Sequence, residues 1–260
     1  MKKCVIDFTI VEVRILNERH VLLRAKSVDN ELPEILPGQF AQLSVAECAK
    51  AFLRRPISIH YVDYANNEVW FLVQKKGEGT IYLSSLTKGA KLNAILPLGN
   101  GFSMPKSTNE SPLLVGGGVG IAPLLYYGKR IYDMNCKPSF LLGARTKDDL
   151  LLIEEFEKYG SVYCTTEDGS YGEKGFVSQH SIWQKDSFSS VHICGPKPMM
   201  VAVARLAKAK GIFCEVSLEN MMACGVGACL CCVEDINEEG NVCVCKEGPV
   251  FNINKLKWQI

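Results

Sequence analysis

The sequence predicts an antiparallel β-barrel, then a parallel-sheet α/β domain, then a small cysteine-rich module folded around a metal cluster. Three observations predict it. Short β segments separated by turns fill residues 1–103, apolar strands alternate with helical stretches from residue 112 onward, and six of the twelve cysteines crowd between Cys224 and Cys245. At 260 residues the chain exceeds a usual domain of ~100–150 residues, and its 47% hydrophobic and 22% charged content suits a well-cored soluble protein.

In the first part, residues 5–16, 20–25, 39–45, 57–62, 68–73 and 91–96 read as strands, with a short helix at 81–86. Pro37-Gly38, Asn66-Asn67 and Lys88-Gly89 mark turns between them. Closing these strands into a small barrel removes exposed strand edges. The segment 104–111, with Pro105, Ser107, Thr108 and Asn109, reads as a linker.

Beyond it the period changes. Residues 112–115, 139–143, 161–165 and 191–194 read as strands, and 122–134, 147–158 and 198–210 as helices. Such alternation predicts a parallel sheet with helices on both faces. Asp148-Asp149 and Glu154-Glu155 fall on the expected solvated face of the helix 147–158. After about residue 215 comes a cysteine-rich tail, too small to fold without its metal. The expected domains are therefore 1–103, 104–215 and 216–260.

Composition also excludes functions. A net charge of +1, from 29 basic and 28 acidic residues, gives no broad field for nucleic acid or anionic lipid. The longest apolar stretch, 112–127, is interrupted by glycine and proline and falls short of the ~20 residues a membrane span needs. Charged Asp7 and Glu12 interrupt the N-terminal apolar residues, which fits a strand and not a signal peptide. The reading is a cytoplasmic protein without membrane insertion, whose cysteines are metal ligands or buried thiols. Cys4, Cys48, Cys136, Cys164 and Cys214 are expected as small apolar fillers. The four histidines, His20, His60, His180 and His192, form no HExxH pair, and no GxSxG occurs, so hydrolytic chemistry has no candidate residues.

The cysteines carry the sharpest signal. Cys224, Cys229 and Cys232 are spaced x4 then x2, the plant-type frame of a [2Fe-2S] cluster, with Cys243 or Cys245 closing the site. The alternative, a four-cysteine zinc site in a nucleotide-binding regulator, usually shows two short CxxC knuckles, which the leading x4 gap does not supply. Gly116-Gly117-Gly118-Val119-Gly120 follows a strand and opens a helix, where glycines let a dinucleotide pyrophosphate approach the backbone. A tight strand-to-helix connection would look the same. Arg145 after one strand and Cys194-Gly195 after another add candidate ligand contacts at strand ends. In the barrel, Arg55-Pro56-Ile57-Ser58 offers a fixed cation for a pyrophosphate, and Gly77-Glu78-Gly79-Thr80 leads into the short helix.

Taken together, Arg55-Pro56-Ile57-Ser58, the glycine turn, Gly143-Ala144-Arg145 and Cys194-Gly195-Pro196 resemble the ferredoxin–NAD(P) reductase superfamily. The stretch from Ser217 through Cys229, with the ending Cys245-Lys246-Glu247-Gly248-Pro249, narrows the resemblance. It is similar to the electron-transfer subunits of two-subunit, NAD-linked dihydroorotate dehydrogenases, over essentially the whole chain. That resemblance implies FAD on the barrel, contacted by Arg55, Pro56, Ile57, Ser58, Leu72, Val73, Gln74, Gly79 and Thr80. Ile57 stands where the wider superfamily often carries a stacking tyrosine. It implies NAD at Gly116, Gly117, Gly118, Gly120 and Arg145, with Cys194 and Gly195 near the nicotinamide. It selects Cys245 as the fourth cluster ligand beside Cys224, Cys229 and Cys232, leaving Cys231 and Cys243 as extras. It implies an FMN-containing catalytic partner that oxidises dihydroorotate in pyrimidine biosynthesis, two copies of each chain in the complex, and no acid or base of this chain in the chemistry. Related flavin and iron–sulfur subunits of ferredoxin-NADP reductase, sulfite reductase or hydrogenase type reuse the same core.

Overall fold

The computed structural model describes residues 2–29, 31–185 and 187–258. The first elements are strands β1 (Cys4–Ile15), β2 (His20–Ser27), β3 (Phe40–Leu43), β4 (Arg55–Asp63) and β5 (Glu68–Gln74), helix α1 (Glu78–Ser84) and β6 (Lys91–Leu98). Then follow β7 (Pro112–Gly117), α2 (Ala122–Asp133), β8 (Ser139–Ala144), α3 (Ile153–Phe156), β9 (Ser161–Thr166), β10 (Glu173–Lys174) and α4 (Ile182–Lys185). The chain ends with β11 (Ser190–Cys194), α5 (Lys197–Ala209), β12 (Phe213–Ser217), β13 (Val233–Ile236), β14 (Gly240–Cys243), α6 (Val244–Glu247) and β15 (Val250–Asn252). It divides into two compact units, one of residues 1–101, 220–234 and 241–249, the other of 102–219, 235–240 and 250–260.

In the first unit, among the described residues, six antiparallel strands close a barrel in the order β1-β2-β5-β4-β3-β6. Alternation drives it: Ile6, Phe8 and Ile10 of β1 are buried while Asp7 between them is exposed and Thr9 half-buried. Phe8, Leu23 and Phe71 are fully buried, and burial of such side chains contributes about 1.5–3 kcal/mol each. β4 and β5 pair from Asp63↔Glu68 to Ile59↔Phe71, with a bulge between Ile59 and Tyr61, and stop there. Beyond that point Arg55–Ser58 pair only with β3, and Leu72–Gln74 only with β2. The barrel is thus parted where two of the motif segments lie.

The second unit holds a seven-stranded sheet ordered β10-β9-β8-β7-β11-β12-β15, parallel except for β15. Leu113, Leu114 and Val115 are all fully buried, as expected for a strand covered on both faces. β7 lies between β8 and β11, so the chain leaves it in one direction and returns on the other side, a topological switch point. Pro123, in the first turn of α2, is tolerated because its missing N–H would have no helical partner. A buried polar network braces the sheet. Glu215 accepts from the Ser103 N–H at 2.9 Å and hydroxyl at 2.7 Å, and lies 3.2 Å from His192 Nδ1. Burial opposes its charge, but the His192 and Ser103 contacts outweigh that and hold the carboxyl below its ordinary range.

Several expectations need correction. The helix expected at 147–158 is broken into a 3-10 turn, Lys147–Asp149, and the short α3. Leu152 adopts φ 57° with Leu151 beside it in the core, so hydrophobic anchoring interrupts the helical path. Asp149 is accordingly buried, not on a solvated face. Cys136, Cys164 and Cys214 are buried fillers as expected, but Cys4 and Cys48 are partly exposed. The alternating Phe213–Ser217 forms β12, on which β15 pairs antiparallel, so sheet structure continues beyond residue 215.

Candidate functional site

The cysteine loop follows no helix or strand between residues 218 and 232. Gly225, at φ 71°, and Gly227, at φ 85°, supply the left-handed backbone that curls the chain around its own sulfurs. Backbone amides then point at those sulfurs. Cys224 Sγ accepts from Val226 N at 3.4 Å and Cys229 N at 3.4 Å, and Cys229 Sγ from Cys224 N at 3.5 Å. Cys245, in the first turn of α6, accepts on Sγ from Gly227 N at 3.1 Å, while its own N–H reaches Cys232 Sγ at 3.3 Å.

Amide-to-sulfur contacts thus link Cys224 with Cys229 and Cys232 with Cys245, and Cys243 also lies against Cys232, so this loop gathers thiols that could serve two irons. Amide donors to sulfur are what a reduced, more negative cluster requires. Cys232 and Cys245 are buried, Cys224 is partly exposed, and Cys229 and Cys231 are exposed. Cys243 Sγ lies 3.8 Å from the Gly227 carbonyl and its thiol also contacts Cys232. The Val226 amide foremost, against some burial, draws the Cys224 thiol down to about 6. Burial first, and the neighbouring Cys232 second, push the Cys245 thiol up to about 12. Iron binding would displace that proton.

The barrel motif lies in the same compact unit. Arg55, Pro56, Ile57 and Ser58 are all half-buried at the start of β4, beside the gap where β4 and β5 part. A Cβ on Gly79 would overlap the Arg55 guanidinium, so glycine there lets the first turn of α1 settle over the cation. The Thr80 hydroxyl accepts from the Lys76 and Gly77 amides at 2.9 and 3.1 Å, which ties the loop to the helix. Across the gap, Gln74 is half-buried whereas Leu72 and Val73 are shut inside the barrel wall. The half-buried cation, cradled by a glycine and flanking an opened strand pair, fits the diphosphate and ring of a flavin dinucleotide.

In the second unit the strand ends converge. Register pairs Gly116 with Cys194 and Gly117 with Gly143, so three loops leave the sheet at one level. A Cβ on Gly120 would come within 2.5 Å of Gly195 Cα and 2.6 Å of the Cys194 carbonyl, so the glycine turn and the Cys-Gly-Pro turn are pressed together. Gly118 is half-buried at φ 57°, and Arg145 stands exposed beyond β8, 3.7 Å from Asp149. Cys194 is closed to solvent, 3.9 Å from Glu219, and burial first and that carboxylate next keep its thiol protonated. Met199, which follows the Cys194-Gly195-Pro196 turn, packs against Gly117. Gln42, which packs against Gly225, belongs to no motif and is not announced by the sequence.

Comparison with known proteins agrees with this geometry. A model of the iron–sulfur cluster binding domain of dihydroorotate dehydrogenase B matches residues 219–257, and an oxidoreductase NAD-binding domain model matches 114–205. A Bacillus velezensis protein named dihydroorotate dehydrogenase B (NAD(+)), electron transfer subunit, is 37% identical over 223 residues, covering 85% of this chain and 86% of its own. A Fusobacterium nucleatum protein of the same name is 37% identical over 221 residues, covering 83% and 84%. A solved NADH-dependent reduced ferredoxin-NADP oxidoreductase, described for flavin-based electron bifurcation, superposes with TM-score 0.85 at 28% identity, over 96% of this chain and 90% of that one. The ferredoxin reductase of carbazole 1,9a-dioxygenase shares the fold, with TM-score 0.69 at 20% identity, over 82% and 67%. With its ferredoxin reductase-like fold and its paired sulfurs, the chain belongs to the family of electron transfer subunits of dihydroorotate dehydrogenase B (NAD+), an oxidoreductase family.

Proposed function

We propose that this chain carries the electrons released when an FMN-containing partner subunit oxidises dihydroorotate, and delivers them to NAD+ in pyrimidine biosynthesis. It holds FAD, NAD and a [2Fe-2S] cluster; bound FAD converts between the single electrons of the cluster and the hydride of the nicotinamide. The observation that carries the reading is the pairing of Cys224 with Cys229 and Cys232 with Cys245 under backbone amides.

The chain's own work is positioning. Cys224, Cys229, Cys232 and Cys245 ligate iron. Arg55 neutralises the flavin diphosphate, with Pro56, Ile57, Ser58, Leu72, Val73, Gln74, Gly79 and Thr80 around it. Gly116, Gly117, Gly118, Gly120 and Arg145 take the NAD pyrophosphate and ribose, and Cys194-Gly195 border the nicotinamide. Residues 1–103, 104–215 and 216–260 then carry flavin, nucleotide and cluster in turn. No side chain here needs to move a proton for hydride transfer. Met221, Leu230 and Val226 expose 82%, 65% and 39% of their surface on the cluster loop, apolar area that favours docking of the catalytic partner there. We place the complex in the cytoplasm with two copies of each chain; among the described residues no helix is long and apolar enough to cross a membrane.

Copurification with the catalytic subunit tests this. The complex should reduce NAD+ on addition of dihydroorotate, and the activity should vanish when either subunit is left out. The likeness to the ferredoxin-NADP oxidoreductase favours a second reading, a subunit of such an assembly. Copurification with its partners, and reduction of ferredoxin in place of dihydroorotate oxidation, would select that one.

A further inference from the structure

Gln42 is fully buried in β3, yet neither its Oε1 nor its Nε2 meets a hydrogen-bond partner. An amide shut away from water and left unpaired loses its solvation with nothing in return, so an acceptor from outside the polypeptide at Nε2 would recover part of that cost. Arg54 Nη1 donates to the Gln42 carbonyl at 3.2 Å and fixes the backbone there. The side chain runs directly under the cysteine loop. A Cβ on Gly225 would lie 2.6 Å from Gln42 Cγ and 2.7 Å from Nε2, and Gly225 follows Cys224. On the neighbouring strand the register partner of Gln42 is Pro56, which has no N–H to donate. The amide thus belongs to the same compact unit as the flavin motif and the cluster loop, with its nitrogen beside Gly225.

Building on the cluster reading above, we propose that the Gln42 side-chain amide donates a hydrogen bond to a sulfur of the [2Fe-2S] cluster and raises its reduction potential. A carboxamide nitrogen carries two donors, and sulfides and thiolates are acceptors only. Hydrogen bonds to sulfur stabilise the reduced cluster, which carries one more negative charge. Gln42 would thereby set how electrons divide between cluster and flavin, without ligating iron.

The test compares wild-type and Gln42→Met holoprotein by iron, acid-labile sulfide and FAD content and by EPR-monitored redox titration. Methionine keeps the length of the side chain and removes the donor. The expected result is unchanged iron and sulfide with a cluster about tenfold harder to reduce, about 59 mV for a one-electron couple, and an unmoved flavin potential. Gln42→His, which retains an N–H, should lose less. A Gln42→Met protein with a full cluster and unchanged potential overturns the proposal, as does a shift of the flavin alone. Wild-type protein without iron and sulfide overturns the cluster reading itself, and this proposal with it. Should the variant fold poorly, pulsed EPR of reduced wild type labelled with nitrogen-15 in glutamine side chains decides. A weak nitrogen coupling to the cluster is expected, and its absence overturns the proposal.

Discussion

The nucleotide end of the parallel sheet and the cysteine loop reach their binding geometry in opposite ways. At the sheet, position comes from packing: Leu113, Leu114 and Val115 are fully buried, the strand register is parallel, and glycines appear where a Cβ would strike the next turn. The loop has no regular structure, and its order rests on amides aimed at sulfur. One site is shaped by core packing. The other is shaped by backbone amides around its thiols and would be completed by metal. A substitution at the first should change affinity for nucleotide, and a substitution at the second should change whether the cofactor is present at all.

The sharpest way to break this contrast is at the fourth ligand. Cys245→Ser should abolish the cluster, with loss of iron, sulfide and the broad visible absorption, and should stop electron delivery from the partner. Cys243→Ser should retain the cluster; the reverse pattern would move the ligand to Cys243. Next in size, Arg55→Ala removes a charged hydrogen-bond donor worth about 1.5–3 kcal/mol, so FAD affinity should fall about tenfold to a hundredfold in a flavin-release titration. Gly120→Ala pushes a Cβ against the backbone of Cys194 and Gly195. It should raise KM for NADH about tenfold, a cost near 1.4 kcal/mol, while iron and flavin contents stay constant. Equal loss of iron in that variant would show that the two sites are not built independently.

The smallest effect concerns protonation. In protein stripped of iron, Cys224 at about 6 is largely thiolate at neutral pH, and Cys245 at about 12 is not. A depressed thiol pKa means reactivity is present above it and lost as pH falls through it. Alkylation followed by mass mapping should therefore label Cys224 ahead of Cys245 at pH 7, with the Cys224 rate falling as the solution is taken below about pH 6. Equal rates at the two cysteines would show that the amides do not organise the loop before metal arrives.

Much of this was legible in the sequence because the carriers are spacings and periods. The cysteine-rich stretch coincides with the match to an iron–sulfur cluster binding domain over 219–257, and the change of period near residue 112 survives as the change from barrel to parallel sheet. What was not legible depends on burial. The run 147–158 has helical composition, yet Leu151 and Leu152 are drawn into the core and stop the helix. Phe213–Ser217 forms a strand by pairing with β11 and β15, contacts distant in sequence that its own residues do not announce. Gln42 belongs to no pattern. Only its burial beneath Gly225, with both amide atoms unpaired, sets it apart from any other polar residue in a strand.

In the proposed function, nicotinamide, flavin and a four-cysteine cluster exchange electrons within one chain. EPR of the anaerobically purified holoprotein after addition of NADH tests it most directly. The expected result is the signal of a reduced [2Fe-2S] cluster, approaching about one unpaired spin per chain, with about two irons and two labile sulfides present. Protein that carries FAD, is bleached by NADH and yet develops no cluster signal would contradict it.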